Sequence, residues 1–474
     1  MTEQGSDTRR KLLSRSAFIF AIRFFPAAAT LAVQIAFSHL VNKELNGIYQ
    51  QLLVYLSVLT AVACFGMPSL LLTHTPISVH RWLLGLKARH MAMFGLWLSV
   101  LAAVLVLAFR RSPEFDPGIL VSLFALQAGA LLLETYLMIN RKFVLLASWS
   151  ILYALLFCAA HYLFLSAIVS FTGLLWIIAG ISLARLCVLA ISARSTFHAE
   201  AAGLRRRIMS RAIRKQWAQL GIYDMSQIAF RYIDKVLISW IVGPALFSVY
   251  FNGTIDVPFI PLLLGAAGGG LLMQMASGDN SVAARLKLVN HSGSVLACIV
   301  FPVFFFLFFF RYEFIEVVFS KRYLEAVPLF AISVMALPLR AYNYTSILQH
   351  LNKVKTINWG AALDLGIALS LAYPLFLWKG LPGVAFAFMI SSYIQAIFYL
   401  AKTARYMRCP ILQLIPWKQW LVMLIVFGTA GIVLHDVLGR YFSDRLSLLL
   451  GFLGTTAIIA AALSPLIFSR KKHG

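Results

Sequence analysis

Acidic side chains are scarce in this chain: 17 Asp and Glu stand against 41 Lys and Arg among 474 residues, and charged residues make up only 12%. Soluble domains carry about 25% charged and about 45–50% apolar residues, so the shortage excludes an ordinary water-soluble fold. Cysteine is rare as well. Cys64, Cys158, Cys187, Cys298 and Cys409 form no C-x-x-C pair, and four of them lie in apolar runs, where a thiol behaves as a small hydrophobe. Neither a disulfide framework nor a metal site is expected. No H-E-x-x-H, G-x-S-x-G or phosphate-loop pattern occurs, and no pair of carboxylates sits on a long loop, so no catalytic residue is assigned and the chain reads as a non-enzyme.

What the chain has in abundance is apolar length: 61% of it is hydrophobic and its mean hydropathy is +0.84. A bilayer crossing needs about 20 apolar residues. Such spans fall at 17–39, 47–73, 91–109, 118–139, 143–164, 172–193, 217–242, 247–275, 291–310, 327–350, 357–378, 382–401, 418–438 and 446–469. The fold class expected is all-α integral membrane with about 14 transmembrane helices. The first span continues past Pro26-Ala27-Ala28-Ala29 to Phe37, longer than a cleavable signal, and is expected to remain as a helix. The net charge of +24 would suggest nucleic acid in a soluble protein. Here the basic residues sit in short connections between spans, and the alternate connections that share a side with the N-terminus hold about three times as many as the others. Both termini are therefore expected in the cytoplasm, with Arg470-Lys471-Lys472 returned there by an even number of crossings. The longest connection, 194–216, carries Arg205, Arg206, Arg207, Arg211, Arg214 and Lys215 and divides the first twelve spans into six and six. It reads first as a linker obeying the positive-inside rule and second as a contact for anionic lipid.

Ionisable groups at membrane depth cost roughly 2.5–3.5 kcal/mol each, so they face a cavity or a partner. Ten occur within the spans: Arg23, Glu134, Arg185, Asp224, Arg231, Asp234, Lys235, Asp256, Arg340 and Asp364. In the seventh span Asp224, Gln227, Arg231, Asp234 and Ile238 recur at helical spacing and form one stripe, with Lys235 beside it. Arg23, Ala27, Thr30, Gln34 and Ser38 form another in the first span, Asn46, Gln50 and Ser57 share a side of the second, and Gln127 and Glu134 share one of the fourth. Such faces suit the walls of a water-filled chamber; the alternative is ion pairing that only locks helices together, and for Asp234 beside Lys235 the two readings weigh equally. Arg185 lies near a span end and reads as snorkelling. Arg340, flanked by Tyr342, Asn343 and Tyr344, reads as facing a cavity. The eighth span combines Asn252 and Asp256 with Pro258, Pro261, Gly265 and Gly268-Gly269-Gly270, so it is expected to bend or break, leaving Asp256 beside exposed backbone, where a proton or cation could bind. His39, His161, His350 and His435 stand alone near span ends and read as interfacial.

Three stretches carry a family likeness. Glu44-Leu45-Asn46-Gly47-Ile48-Tyr49 is similar to an E-x-x-G-x-Y pattern. Ile233-Asp234-Lys235-Val236-Leu237-Ile238-Ser239 followed by Phe247-Ser248-Val249-Tyr250 is similar to I-D-[RK]-x-[IL]-I-S … [LF]-[GS]-x-Y. Gly380-Leu381-Pro382-Gly383-Val384-Ala385 is similar to G-x-x-G-x-A. Together they resemble the polysaccharide transporter, or O-antigen flippase (Wzx-type), branch of the multidrug/oligosaccharidyl-lipid/polysaccharide exporter superfamily, over nearly the whole chain. Ser248 stands where glycine is common.

The resemblance implies two pseudo-symmetric six-helix lobes around a central cationic cavity, 1–193 and 217–401, joined by the linker 194–216, with two additional helices and a cytoplasmic tail in 402–474. It implies a bacterial inner-membrane flippase. Its substrate would be an undecaprenyl-pyrophosphate-linked oligosaccharide (an O-antigen, capsule or exopolysaccharide unit), moved from the cytoplasmic to the periplasmic leaflet by alternating access. Arg23, Arg231, Lys235 and Arg340 would hold the pyrophosphate, and Gln34, Asn46, Gln50 and Asn343 would meet sugar hydroxyls. Glu134, Asp224, Asp256 and Asp364 are the candidates for proton or sodium coupling. No cofactor is implied, and the partners are the lipid-linked oligosaccharide, membrane lipids and the polymerase and glycosyltransferases of the same route. The alternatives are a drug or metabolite exporter or a lipid II flippase of the same superfamily and, from another class, a membrane-embedded glycan polymerase or ligase. A polymerase or ligase normally carries a large periplasmic loop; the longest external connection here has about 17 residues.

Overall fold

The computed structural model of the chain describes residues 3–110, 112–201, 203–205, 209–255, 268, 271, 274–275, 281–351 and 353–468, with side chains described from 18 to 464 other than 19. Among the described residues every regular element is helical, and twelve helical stretches are long and apolar enough to cross a membrane. The chain is a multi-pass membrane protein. The two remaining expected spans differ for separate reasons. The seventh is a full-length helix, but Asp224, Arg231, Asp234 and Lys235 make it too polar for the same criterion, and the eighth falls largely outside the described residues.

The chain divides into two compact units, Met1–Pro244 and Ala245–Gly474. In the first, α1 (Glu3–Leu40) packs along α7 (Phe143–Leu165), and α6 (Pro117–Ile139) along α8 (Phe171–Ala201). Between them lie α2 (Lys43–Cys64), α3 (Met67–Leu72) and α5 (Ala88–Ala108), while the short α4 (Pro76–Leu84) rests on α8. The polar helix α9 (Arg211–Ile241) packs on α2 and α3 and so belongs to this unit. The core gathers Phe37, Tyr49, Leu105, Ile119, Phe124 and Leu174. His161 corrects an expectation here: it is 1% exposed rather than interfacial. Its Nδ1 donates to the Phe157 carbonyl at 2.7 Å, which leaves Nε2 to accept from the Tyr49 hydroxyl at 2.8 Å. A neutral imidazole satisfied at both nitrogens can be buried where an unpaired one could not.

The second span also departs from the single helix expected over 47–73. It ends at Cys64 because Phe65 and Gly66 turn left-handed, with φ of 35° and 69°, and α3 resumes at a new angle. Glycine is needed at 66 twice over. Its φ disfavours any side chain, and a Cβ there would overlap the backbone of Gly221 on α9.

In the second unit, α10 (Pro244–Gly253) leads to the central α11 (Val282–Phe309). α11 contacts the short α12 (Arg311–Phe319) and α13 (Val327–Val334). α14 (Ser346–His350) is a single turn, α15 (Val354–Lys379) and α16 (Leu381–Met407) form a tight antiparallel hairpin, and α17 (Ile411–Leu414) precedes the final pair α18 (Trp417–Tyr441) and α19 (Asp444–Phe468). Both final helices dock on α11. The reason is a row of phenylalanines meeting glycines: a Cβ at Gly428 would stand 3.0 Å from the Phe305 ring, one at Gly431 3.1 Å from Phe309, and one at Gly451 2.8 Å from Phe310.

The tenth span, expected as one helix over 327–350, is broken. α13 gives way to a 3-10 turn at Leu337–Ala341, Tyr342 is extended with φ −140° and ψ 140°, and only then does α14 begin. Pro338 removes a donor and the chain cannot continue the α ladder through it.

Replacing Gly451 with Leu should drive a side chain into the Phe310 ring. Overpacking of this kind costs about 1–3 kcal/mol. A lowered thermal midpoint of the purified protein in detergent is the expected result, with Gly439→Leu, where a Cβ meets open space, as the unaffected control.

Candidate functional site

Nine of the ten ionisable groups expected at membrane depth are described, and they separate into two kinds. The first kind is neutralised. Arg185 on α8 pairs with Glu134 on α6, each side chain 18% exposed, and its guanidinium lies 4.5 Å over the Tyr153 ring on α7. Three helices are thereby tied at one point, so Arg185 is held inside the unit instead of snorkelling. Lys235 and Asp234 on α9 are both buried, with Nζ 3.2 Å from Oδ2. Asp224, higher on the same helix, accepts from the Ser69 hydroxyl at 2.6 Å. This bond, and Trp217 Nε1 donating to the Phe65 carbonyl at 2.7 Å, fasten α9 to the break after α2. A carbonyl released by the left-handed turn thus has a donor, which hydrocarbon would not supply. Lower down, the Tyr55 hydroxyl meets Ser239 at 3.1 Å and accepts from Trp240 Nε1 at 2.6 Å.

The second kind is open. Arg23 on α1, and Arg231 with Gln227 on α9, are exposed, and no ion pair among the described residues includes Arg23, Arg231 or Arg340. On α9 Asp234, Lys235 and Ile238 are buried, whereas Gln227 and Arg231, on the same side of the helix but nearer its N-terminus, are exposed. The expected stripe is therefore buried toward the C-terminal end of α9 and open at Gln227 and Arg231. Gln34 is half-buried, and Asn46 and Gln50 are fully buried in the first turns of α2. Between them Gly47 admits the Pro244 backbone, with which a Cβ would overlap.

In the second unit the broken tenth span collects the polar groups. Arg340 is exposed on the 3-10 turn, and it lies within electrostatic range of the Asp364 carboxylate on α15. Tyr393 donates to the Met335 carbonyl at 2.8 Å, where the α ladder of α13 ends. Asn343 is half-buried with its amide against Gly268, where a Cβ would collide with it, and its Oδ1 accepts from Thr345 at 3.4 Å. Asp256 lies outside the described residues. No group of three or more His, Cys, Asp or Glu among the described residues could hold a metal ion. Ser69 and Tyr153, which partner predicted charges, and Tyr393, which serves a backbone carbonyl, carry no sequence signal, since a lone polar side chain in an apolar helix has no pattern to betray its partner.

The sequence matches no protein-family model and no curated protein. Solved structures do resemble the chain. A lipid II flippase, MurJ, in an inward closed conformation aligns with TM-score 0.65 over 96% of this chain and 99% of its own, at 14% identity. An inward-facing multidrug resistance MATE family transporter of the MOP superfamily aligns with TM-score 0.55 over 80% and 94%, at 13% identity. The chain has the fold of these membrane transporters, all-helical with the two-lobe transporter architecture.

Substituting Glu134 with Ala should strand the Arg185 guanidinium. Removing one partner of a buried pair costs about 3–5 kcal/mol. The expected loss of thermal stability should be largely recovered in the double variant Glu134→Leu, Arg185→Met, and unfolding of the purified proteins in detergent measures both.

Proposed function

We propose that the chain is a flippase that carries a saccharide linked to a polyprenyl pyrophosphate from the cytoplasmic to the periplasmic leaflet by alternating access. The observation that carries this reading is the sorting of the arginines. Arg185 and Lys235 are each paired with an acid, whereas Arg23, Arg231 and Arg340 are exposed and take part in no ion pair among the described residues. Uncompensated guanidinium groups at that depth favour an anionic ligand and repel a cationic drug. Fork-shaped guanidinium suits phosphate oxygens, and the exposed Gln227 and half-buried Gln34 and Asn343 supply amide groups for sugar hydroxyls.

The six, six and two division of the spans belongs to the same proposal, the first twelve supplying the two halves that alternate. The direction is electrically downhill. A pyrophosphate of charge about −2 leaving an inside-negative cell gains roughly 4.6 kcal/mol at 100 mV. No nucleotide motor is required. Of the carboxylates proposed for proton or sodium coupling, Asp364 fits best because it lies within reach of Arg340, and Glu134 fits least because Arg185 already claims it.

Among lipid-linked glycans, lipid II is the first to test, because the fold likeness to a flippase of that name spans nearly both chains. The second reading is an O-antigen, capsule or exopolysaccharide repeat unit, favoured by the stretches 44–49, 233–250 and 380–385. The inner membrane of a bacterium, with both termini inside, is the setting proposed for either substrate.

Charge reversal decides the matter. In vesicles carrying fluorescent lipid II or a polyprenyl-pyrophosphate oligosaccharide, Arg23→Glu, Arg231→Glu and Arg340→Glu should each slow flipping about tenfold or more. That is the loss of one charge-assisted contact of about 1.5–3 kcal/mol. Normal flipping in all three, or transport of a cationic drug with neither lipid moved, would overturn the proposal.

A further inference from the structure

The hairpin of α15 and α16 carries a groove that the proposed flipping reaction does not use. It has a volume of about 740 Å³ and runs between Thr356, Trp359, Leu363 and Ile367 on α15 and Phe398, Lys402 and Tyr406 on α16. The residues recur every three or four positions on each helix, so the groove follows the helix axes. From Thr356 to Ile367 it extends about 16 Å at 1.5 Å per residue. That is the depth of one leaflet of a hydrocarbon core about 30 Å thick.

Its two ends differ in chemistry. The deep end is apolar, with Leu363 36% exposed and Ile367 and Phe398 lining the floor. At the shallow end the Thr356 hydroxyl meets the Tyr406 hydroxyl at 3.0 Å, Lys353 Nζ lies 4.9 Å over the Tyr406 ring, and Lys402 Nζ leans 5.4 Å over Phe398 into the groove. Trp359, 72% exposed, stands beside them as an indole does at a membrane interface. Lys355, Arg405 and Arg408 follow close by, and no Asp or Glu occurs from 365 to 435. Neither lysine at the groove has an acidic partner among the described ion pairs.

We infer that this groove binds one anionic phospholipid of the adjoining leaflet, its phosphate held by Lys353 and Lys402 with the Thr356 and Tyr406 hydroxyls, and one acyl chain laid along Trp359, Leu363 and Phe398. The occupant follows from charge and length together. A zwitterionic lipid offers the same chain but brings its own cation to a site already crowded with them. A soluble phosphate would leave the leaflet-deep apolar floor unfilled.

Native mass spectrometry of the full chain, released from micelles containing phosphatidylglycerol or phosphatidylcholine, tests this. Wild type should retain phosphatidylglycerol in preference. Lys402→Gln should weaken that retention roughly fivefold, the equivalent of about 1 kcal/mol per basic residue at a membrane surface. Lys402→Arg should keep it, and Trp359→Ala should weaken both lipids alike. Equal retention of the two lipids by wild type, or wild-type retention by Lys402→Gln together with Lys353→Gln, would overturn the inference. So would displacement of phosphatidylglycerol by undecaprenyl phosphate at equal concentration, which would assign the groove to the transported lipid instead. None of these outcomes depends on flipping, so failure here leaves the proposed function standing.

Discussion

A charge in hydrocarbon must be answered by a partner, by water or by a ligand, and this constraint organises the whole molecule. Where the answer is a protein group, the charge becomes a fastening. Glu134 and Arg185 join α6 to α8 over the Tyr153 ring, and Ser69 and Asp224 hold α9 to the end of the second span. Where no ion pair forms among the described residues, as at Arg23, Arg231 and Arg340, the chain keeps an exposed cation. The same residue type thus does two jobs. The neighbours, not the arginine, decide which.

Backbone groups obey the same rule. Two expected helices are broken in the structure, after Cys64 and at Leu337–Ala341, and each break sits beside a side chain that donates to a carbonyl there: Trp217 to Phe65, and Tyr393 to Met335. Irregular backbone at membrane depth is tolerated only when it is supplied in this way or lines a wet cavity. The break at the tenth span also sets Arg340 on a short 3-10 turn and turns Asn343 toward Gly268, so a local failure of helix geometry presents the polar groups.

The all-α membrane class, and most crossings, were legible in the sequence because apolar length is a property of consecutive residues. Spacing also showed that α9 has a polar side. It could not show that Asp234 and Lys235 are buried while Arg231 on the same side is exposed, since spacing fixes the side of a helix and not how far along it a neighbour packs. His161 was misread for a related reason. A histidine near a span end looks interfacial until Tyr49, 112 positions away, is seen to donate to it. Partners distant in sequence leave no periodic trace, and the hydroxyls of Ser69 and Tyr393 were illegible for that reason.

The final two helices show how packing can be specific without charge. Between apolar helices in lipid there is little hydrophobic driving force, so association rests on close approach and van der Waals contact. Phe305 and Phe309 on α11 and Phe310 just after it supply the area, and Gly428, Gly431 and Gly451 supply the room for the rings to settle against backbone. His435 on α18 adds a polar tie, with Nε2 3.0 Å from the Glu313 carboxylate on α12. Helices held this way form part of the wall of the second unit rather than loose additions to it. The groove between α15 and α16, lined by Trp359, Leu363 and Lys402, lies on a different pair of helices from this docking.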